Sequence, residues 1–170
     1  MKLEKKLGAA TRDAYGKALA ELGKDYPNIV VLDGDLAKST KTDNFRKVFP
    51  ERFFNVGIAE ANMGGIASGL ATCGKIPFIS SFACFMMCKG YDQLRMSVAF
   101  PELNVKVVAS HGGISVGEDG ASQQSIEDIA LATSLPHFTV IIPADEVSTY
   151  VLVKKLVSIL TIYNKLKLLL

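Results

Sequence analysis

Phe53-Phe54-Asn55-Val56-Gly57-Ile58-Ala59-Glu60-Ala61-Asn62-Met63-Gly64-Gly65-Ile66-Ala67-Ser68-Gly69-Leu70-Ala71 is the stretch that decides how this chain folds. Residues 53–56 read as a short strand that runs into a tight turn at Gly57. A helix then begins, dense in Gly, Ala and Ser. Glycine inside a helix costs about 1 kcal/mol relative to alanine. Gly64, Gly65 and Gly69 together therefore imply that something approaches this helix closely. A single carboxylate, Glu60, stands in the first turn among apolar and small neighbours. It either complements the helix dipole only, or it is a functional group held at the end of a strand.

The same strand-then-helix rhythm extends in both directions. Upstream, residues 9–22 have helical spacing with Ala10, Tyr15, Ala18 and Leu22 apolar, and Thr11 is a candidate cap. Residues 28–33 form a continuous apolar run, as expected of a strand buried on both faces of a parallel sheet. That run ends in Asp33-Gly34-Asp35, which is either a plain turn or a site, because ligands of open α/β sheets bind beyond the carboxyl ends of strands. Residues 43–49 read as a short helix. Downstream, residues 73–75 break the Gly-rich helix and 76–80 form the next strand. An aromatic and sulfur-rich loop follows over 81–87, then a helix over 91–100 and a strand over 104–109. Ser125 reads as the cap of a short helix, 138–142 as a fifth strand, and the chain from 144 to 157 as helical. The expected fold class is α/β: a mostly parallel sheet with helices on both faces.

Totals narrow the function. The chain has 170 residues, 49% hydrophobic and 21% charged, which fits one globular domain with a real core. A net charge of +2, scattered along the chain, gives no footprint for nucleic acid. The N-terminus lacks the apolar core of a signal peptide, and no run of about 18 apolar residues exists to span a membrane. Cys73, Cys84 and Cys88 sit among apolar residues, as reduced thiols of a cytoplasmic protein do. Cys84 and Cys88 have no nearby His or further Cys, so no metal site is expected of them. Residues 158–170 differ from the rest: Leu, Ile and Lys, without glycine, acid or turn. They read as an amphipathic helix, a membrane-surface tail or an altered end, so residues 1–157 are taken as the domain and 158–170 as an atypical tail.

The second informative stretch is the glycine-rich loop 111–124. It carries His111, the adjacent carboxylates Glu118 and Asp119, Ser115, and the amides Gln123 and Gln124. A loop of this kind after a strand is where a rigid scaffold places a site. Neither a dinucleotide fingerprint nor a Walker phosphate loop is present. His137, after Pro136, reads as structural.

Four motifs, Ala10-Thr11-Arg12-Asp13-Ala14-Tyr15-Gly16, Leu32-Asp33-Gly34-Asp35, Ile58-Ala59-Glu60-Ala61-Asn62-Met63 and residues 110–120 from Ser110-His111-Gly112-Gly113 to Glu118-Asp119-Gly120, run in order without a large gap. Together they make residues 9–150 resemble the pyrimidine-binding domain of transketolase, a thiamine diphosphate enzyme. The resemblance implies that Glu60 holds a proton at N1′ of the cofactor's aminopyrimidine, which a carboxyl in apolar surroundings is suited to do. It implies that Phe85 stacks on that ring, that Phe82 lines its pocket and that Asp35 lies near the cofactor. Arg12, Ser39 and His111 match residues that hold a sugar phosphate, and Asp119 one that reads a donor hydroxyl. Gln123 stands where many members have His; it hydrogen-bonds but does not titrate. The family's diphosphate and its Mg2+ or Ca2+ bind on a separate domain with a Gly-Asp-Gly motif, which this sequence lacks. It also lacks the family's third domain and the Arg after this domain's last strand. The resemblance thus implies one half-site of a cytoplasmic, oligomeric enzyme, completed by a diphosphate-binding domain or subunit and acting on sugar phosphates; the alternative is a truncated chain. Two related thiamine enzymes remain as alternatives: 1-deoxyxylulose 5-phosphate synthase and the β subunit of a 2-oxoacid dehydrogenase. A non-catalytic interaction module that keeps the fold is a third.

Overall fold

A computed structural model describes residues 8–158 and 166–169. Six parallel strands form one sheet in the order β2-β1-β3-β4-β6-β5. They are β1 (Ile29–Asp33), β2 (Phe53–Asn55), β3 (Ile76–Phe82), β4 (Lys106–Ser110), β5 (Phe138–Ile141) and β6 (Leu166–Leu169). The expected α/β class is what the chain adopts. β1 is buried along its whole length, as its unbroken apolar run requires.

Alternation along the strands sorts the core into two layers. Val30, Leu32, Ile79 and Val107 face one way, toward α4 (Glu60–Thr72), α5 (Ala83–Lys89) and α7 (Asp128–Ser134). Ile29, Val31, Phe78 and Val108 face the other, toward α1 (Thr11–Asp25), α3 (Asp43–Val48) and α8 (Glu146–Ser158). Because successive residues point to opposite faces, a one-residue slip would exchange the two layers. Each large apolar side chain buried this way contributes about 1.5–3 kcal/mol. α1 lies along α8, where Lys154 Nζ meets Glu21 Oε2 at 2.6 Å and Leu19 packs in the same core layer as Val153 and Leu156.

Several elements differ from the sequence reading. The stretch 81–87 is not a loop: β3 continues to Phe82 and α5 begins at Ala83. No Gly or Pro interrupts it, and Ala83, Met86 and Met87, at helical spacing, are all in the core. The helix expected over 91–100 is a short α-helical turn, α6 (Tyr91–Gln93), followed by a π-helical segment, Leu94–Ala99, closed by Phe100 N–H donating to Arg95 C=O at 2.9 Å. Ser125 does not cap a helix. α7 starts three residues later, and the Ser125 backbone is paired with Gly113 in an antiparallel bridge. Thr11 is the first residue of α1 rather than its cap, and Ala10 is exposed. In the tail, residues 166–169 form a strand between β4 and β5, so a helix does not run through them. Residues 1–7, 159–165 and 170 lie outside the described residues.

The close approach implied by the glycines of α4 holds at Gly64, where a Cβ would stand 3.1 Å from Gln93 Cβ. At Gly65 and Gly69 a Cβ would meet nothing within 4 Å. Gly16 is the crowded position: a Cβ there would come within 2.5 Å of the Lys41 carbonyl oxygen. Chemical denaturation should separate these cases. Gly16→Ala is expected to destabilise the chain by about 1–3 kcal/mol through overpacking. Gly65→Ala is expected to stabilise the isolated chain by up to about 1 kcal/mol through helix propensity. Equal effects at the two positions would contradict the packing described.

Candidate functional site

The parallel sheet brings the carboxyl ends of β1, β3 and β4 side by side, and the sequence-selected residues gather there. Register pairs Asp33 with Ser80, and Phe82 with Ser110. Just past β1, Asp33 is fully buried and accepts three hydrogen bonds: from Leu36 N–H at 2.6 Å, and from the Thr40 and Thr42 hydroxyls at 2.7 Å each. Burial raises its pKa, and the bonds from Thr40, Thr42 and Leu36 work against that rise. Asp33 is thereby the organiser of the segment that carries Asp35 and, in the short helix α2 (Ala37–Thr40), Ser39, a role the sequence reading did not assign. Asp35, in the left-handed region at φ 68°, is exposed and accepts from Asn55 Nδ2 at 2.7 Å.

A cleft of about 1050 Å³ opens above these strand ends. Arg12, Ser39, His111 and Asp119 line it, and so does Phe82. Arg12 stands in the first turn of α1, and Asp119 ends a 3₁₀ turn in the glycine-rich loop. Arg12 Nη1 donates to His111 Nε2 at 3.0 Å, because a guanidinium cannot accept. The imidazole proton is therefore on Nδ1, 2.8 Å from Ser110 Oγ. Burial lowers the pKa of His111, the Arg12 charge lowers it further and Asp119 opposes both. The wall of the cleft also holds Tyr15, which is buried, bonded to Ser80 Oγ at 2.8 Å, and raised in pKa by burial. The floor holds Ser125, whose buried Oγ has no partner in the structure.

From Phe82 in the cleft lining, a chain of contacts runs through Phe85 and Lys89 to Glu60. The Phe82 ring lies 4.0 Å from the His111 ring and 5.7 Å from that of Phe85, stacked on the latter within 7°. Beyond Phe85 is Glu60, only 1% exposed at the N-terminus of α4. Its Oε1 accepts from Ser81 Oγ at 3.1 Å, and a Cβ on Gly34 would stand 3.4 Å from that same oxygen. Lys89 Nζ lies 2.7 Å from Oε2. This contact is an ion pair without the angles of a hydrogen bond, so the hydrogen-bonding capacity of Oε2 is unspent. The surroundings of Glu60 are thus not wholly apolar as the sequence suggested. Ser81 was missed because it lies in the stretch read as loop, and Lys89 because only the packing of α5 against α4 brings it to Glu60.

Of the other residues singled out, Gln123 does not line the cleft and accepts from the neighbouring Ser122 hydroxyl. His137 forms a 3.5 Å pair with Glu102 away from the site. Cys88 donates to Glu127 at 3.1 Å, and its thiol is pushed up to about 11, chiefly by burial. Among the described residues no group of three or more His, Cys, Asp or Glu is arranged to hold a metal, and no helix is long and apolar enough to cross a membrane.

This arrangement of a buried carboxyl, stacked phenyl rings and an Arg–His pair at parallel strand ends belongs to a described class of domain. Residues 8–162 match the family model "Transketolase, pyrimidine binding domain". The chain belongs to that family. It is 58% identical over 134 residues to the "Putative transketolase C-terminal section" of Methanocaldococcus jannaschii, covering 79% of this chain and 42% of that protein. It is 48% identical over 141 residues to human transketolase, 82% of this chain and 22% of that one. Among solved structures it resembles "Split gene transketolase, inactive beta4 tetramer" with a TM-score of 0.82 and 51% identity, over 96% of this chain and 51% of that one. It also resembles transketolase from Campylobacter jejuni, with a TM-score of 0.84 and 27% identity, over 94% of this chain and 25% of that one. The chain thus spans less than half the length of these curated relatives.

The pKa of His111 gives a pH test. Its folded value lies below the ordinary histidine value of about 6.5, so the unfolded chain binds the proton first as pH falls. Its contribution to stability is present above about pH 6.5 and is lost as pH drops through the depressed folded value. Between pH 7.5 and 5 the wild-type melting temperature should therefore fall more than that of His111→Gln. Parallel decline of the two would show that His111 is not held neutral.

Proposed function

We propose that this chain is the pyrimidine-binding part of a transketolase, moving a two-carbon ketol unit between sugar phosphates once joined to a diphosphate-binding partner. The observation that carries this reading is Glu60: a buried carboxyl with one oxygen fixed by Ser81 and the other, without a hydrogen-bond partner, facing Lys89, whose Nζ also stands 5.2 Å from the Phe85 ring centroid. Those features fit an aminopyrimidine, which needs a carboxyl at its ring nitrogen and an aromatic face to stack on. Thiamine diphosphate, when bound, supplies the nucleophilic carbon and the electron sink that the protein lacks. The part given to Glu60 is to hold a proton at the ring nitrogen, with Ser81 fixing its orientation. Phe85 stacks on the ring, Phe82 closes the pocket from the substrate side, and Asp35 stands near the domain interface.

The cleft is assigned to the sugar phosphate. Arg12 and the Ser39 hydroxyl suit a phosphate through charge-assisted hydrogen bonds, and His111 joins them as a donor once its Nε2 carries the proton in place of accepting from Arg12. Asp119, which lines the cleft, is assigned to a hydroxyl beside the donor carbonyl; Gln123, outside the cleft lining and bonded to Ser122, is assigned no contact there. The Arg12–His111 pair favours a phosphorylated donor over the unphosphorylated donor of a 2-oxoacid dehydrogenase. The metal ion, Mg2+ or Ca2+, and the diphosphate belong to the partner. Residues 8–157 supply the body of the domain in this reading, with the strand at 166–169 lying between β4 and β5 of its sheet. The active assembly is read as an oligomer that includes the diphosphate-binding partner; the split-gene neighbour is named as a tetramer of one chain type and as inactive. The reading is of a cytoplasmic enzyme, consistent with Cys73, Cys84 and Cys88 all being free thiols.

Ketol transfer from xylulose 5-phosphate to ribose 5-phosphate tests the proposal. Activity is expected only when this chain is mixed with a separately made diphosphate-binding subunit and thiamine diphosphate. In that mixture Arg12→Ala should raise KM for the donor about tenfold or more, as loss of a charge-assisted bond of about 1.5–3 kcal/mol requires, with cofactor affinity unchanged. Full activity of the chain alone, or an unchanged donor KM in the variant, would contradict it.

A further inference from the structure

Among the described residues Lys89 is the one cation paired with Glu60, and nothing in the proposed chemistry uses it. It is the last residue of α5, with its side chain about half exposed, and its Nζ reaches inward to 2.7 Å from Glu60 Oε2. The same Nζ stands over the Phe85 ring, 5.2 Å from its centroid. The α5 corner is pressed against the start of α4: a Cβ on Gly90 would lie 2.8 Å from the Met86 carbonyl oxygen and 3.5 Å from that of Glu60. Lys89 is thus anchored directly beside Glu60, while its long stem leaves the ammonium free to swing toward solvent.

The two groups that Lys89 touches are the two that a planar nitrogen heterocycle must use. A ring nitrogen needs the open oxygen of Glu60, and the ring face needs Phe85. One flexible side chain occupies both positions. We infer that Lys89 is a displaceable occupant of the cofactor's pyrimidine niche, neutralising Glu60 while the niche is empty and moving out when the aminopyrimidine docks. This inference rests on the assignment of Glu60 to the cofactor made above.

Physical chemistry favours both halves of that exchange. A carboxylate buried without a counter-charge is costly, so the empty niche needs a cation. An ammonium over a phenyl face gains a cation–π contact as well. Lys89 is about half exposed and its contact with Glu60 lacks hydrogen-bond angles, so its long stem lets the ammonium exchange that contact for water when a ring nitrogen supplies Oε2 with a new partner. The open oxygen then accepts a directed bond that the ammonium does not supply. Lys89 is therefore a positioning residue that competes with the cofactor rather than a group that touches reacting atoms.

The test is the dissociation constant of thiamine diphosphate, read calorimetrically with the mixed complex of this chain and the diphosphate-binding subunit, at low and high salt. Lys89→Met removes the competitor and should tighten binding about three- to tenfold. Lys89→Arg, which keeps the charge, should remain within about twofold of wild type. The advantage of Lys89→Met should shrink as salt screens the pair. In a Glu60→Gln background the same substitution should change the constant less than about twofold, because the pair no longer exists. Thermal unfolding of each variant confirms that the fold is retained. Unchanged or weaker binding by a folded Lys89→Met protein would overturn the inference while leaving the assignment of Glu60 intact. Failure of the wild-type complex to bind thiamine diphosphate would overturn both.

Discussion

The site depends on the register of three parallel strands. β1, β3 and β4 are aligned so that Asp33, Ser80–Phe82 and Ser110 end at one edge of the sheet. From that edge the chain turns into the Asp33 loop, into α5 and into the His111 loop. A slip by one residue would send Ser81 away from Glu60 and Phe82 away from both His111 and Phe85. The apolar alternation that sorts Ile29 and Val31 from Val30 and Leu32 makes such a slip expensive. The core is in this sense the device that aims the site.

Two buried carboxylates at this edge show how structure and function divide the same residue type. Asp33 is saturated, with an amide and two hydroxyls donating to it, and it fixes a loop. Glu60 is left half open, with one oxygen held by Ser81 and the other facing only an ion pair. Burying polar groups costs free energy unless their bonds are made. The first carboxylate meets that condition within the chain. The second leaves it to be met from outside, which is the mark of a binding group.

Much of this was readable from the sequence. The buried run of β1, the strand entering the Gly57 turn and Glu60 at the head of α4 all follow from local patterns. The shared site of Arg12, Ser39, His111 and Asp119 was an expectation of the family resemblance rather than of local pattern, and the four line one cleft above the strand ends. What was not readable depended on contacts distant in sequence. Lys89 is an ordinary surface lysine by pattern, and only the packing of α5 on α4 brings it to Glu60. Ser125 had the look of a helix cap, but its backbone is taken by Gly113, 12 positions earlier. The glycines of α4 implied a neighbour along the whole helix, and among the described residues that neighbour is found only at Gly64.

The account stands on Glu60 as the proton-holding group of the cofactor niche. The direct measurement is exchange of the cofactor's thiazolium C2 proton with deuterium, followed by NMR in the assembled complex of wild type and Glu60→Gln, with cofactor binding checked in both. The account requires the exchange to slow by about a hundredfold or more in the variant, as loss of positioned acid–base assistance does, while thiamine diphosphate still binds. Equal exchange in a variant that holds its cofactor would contradict it.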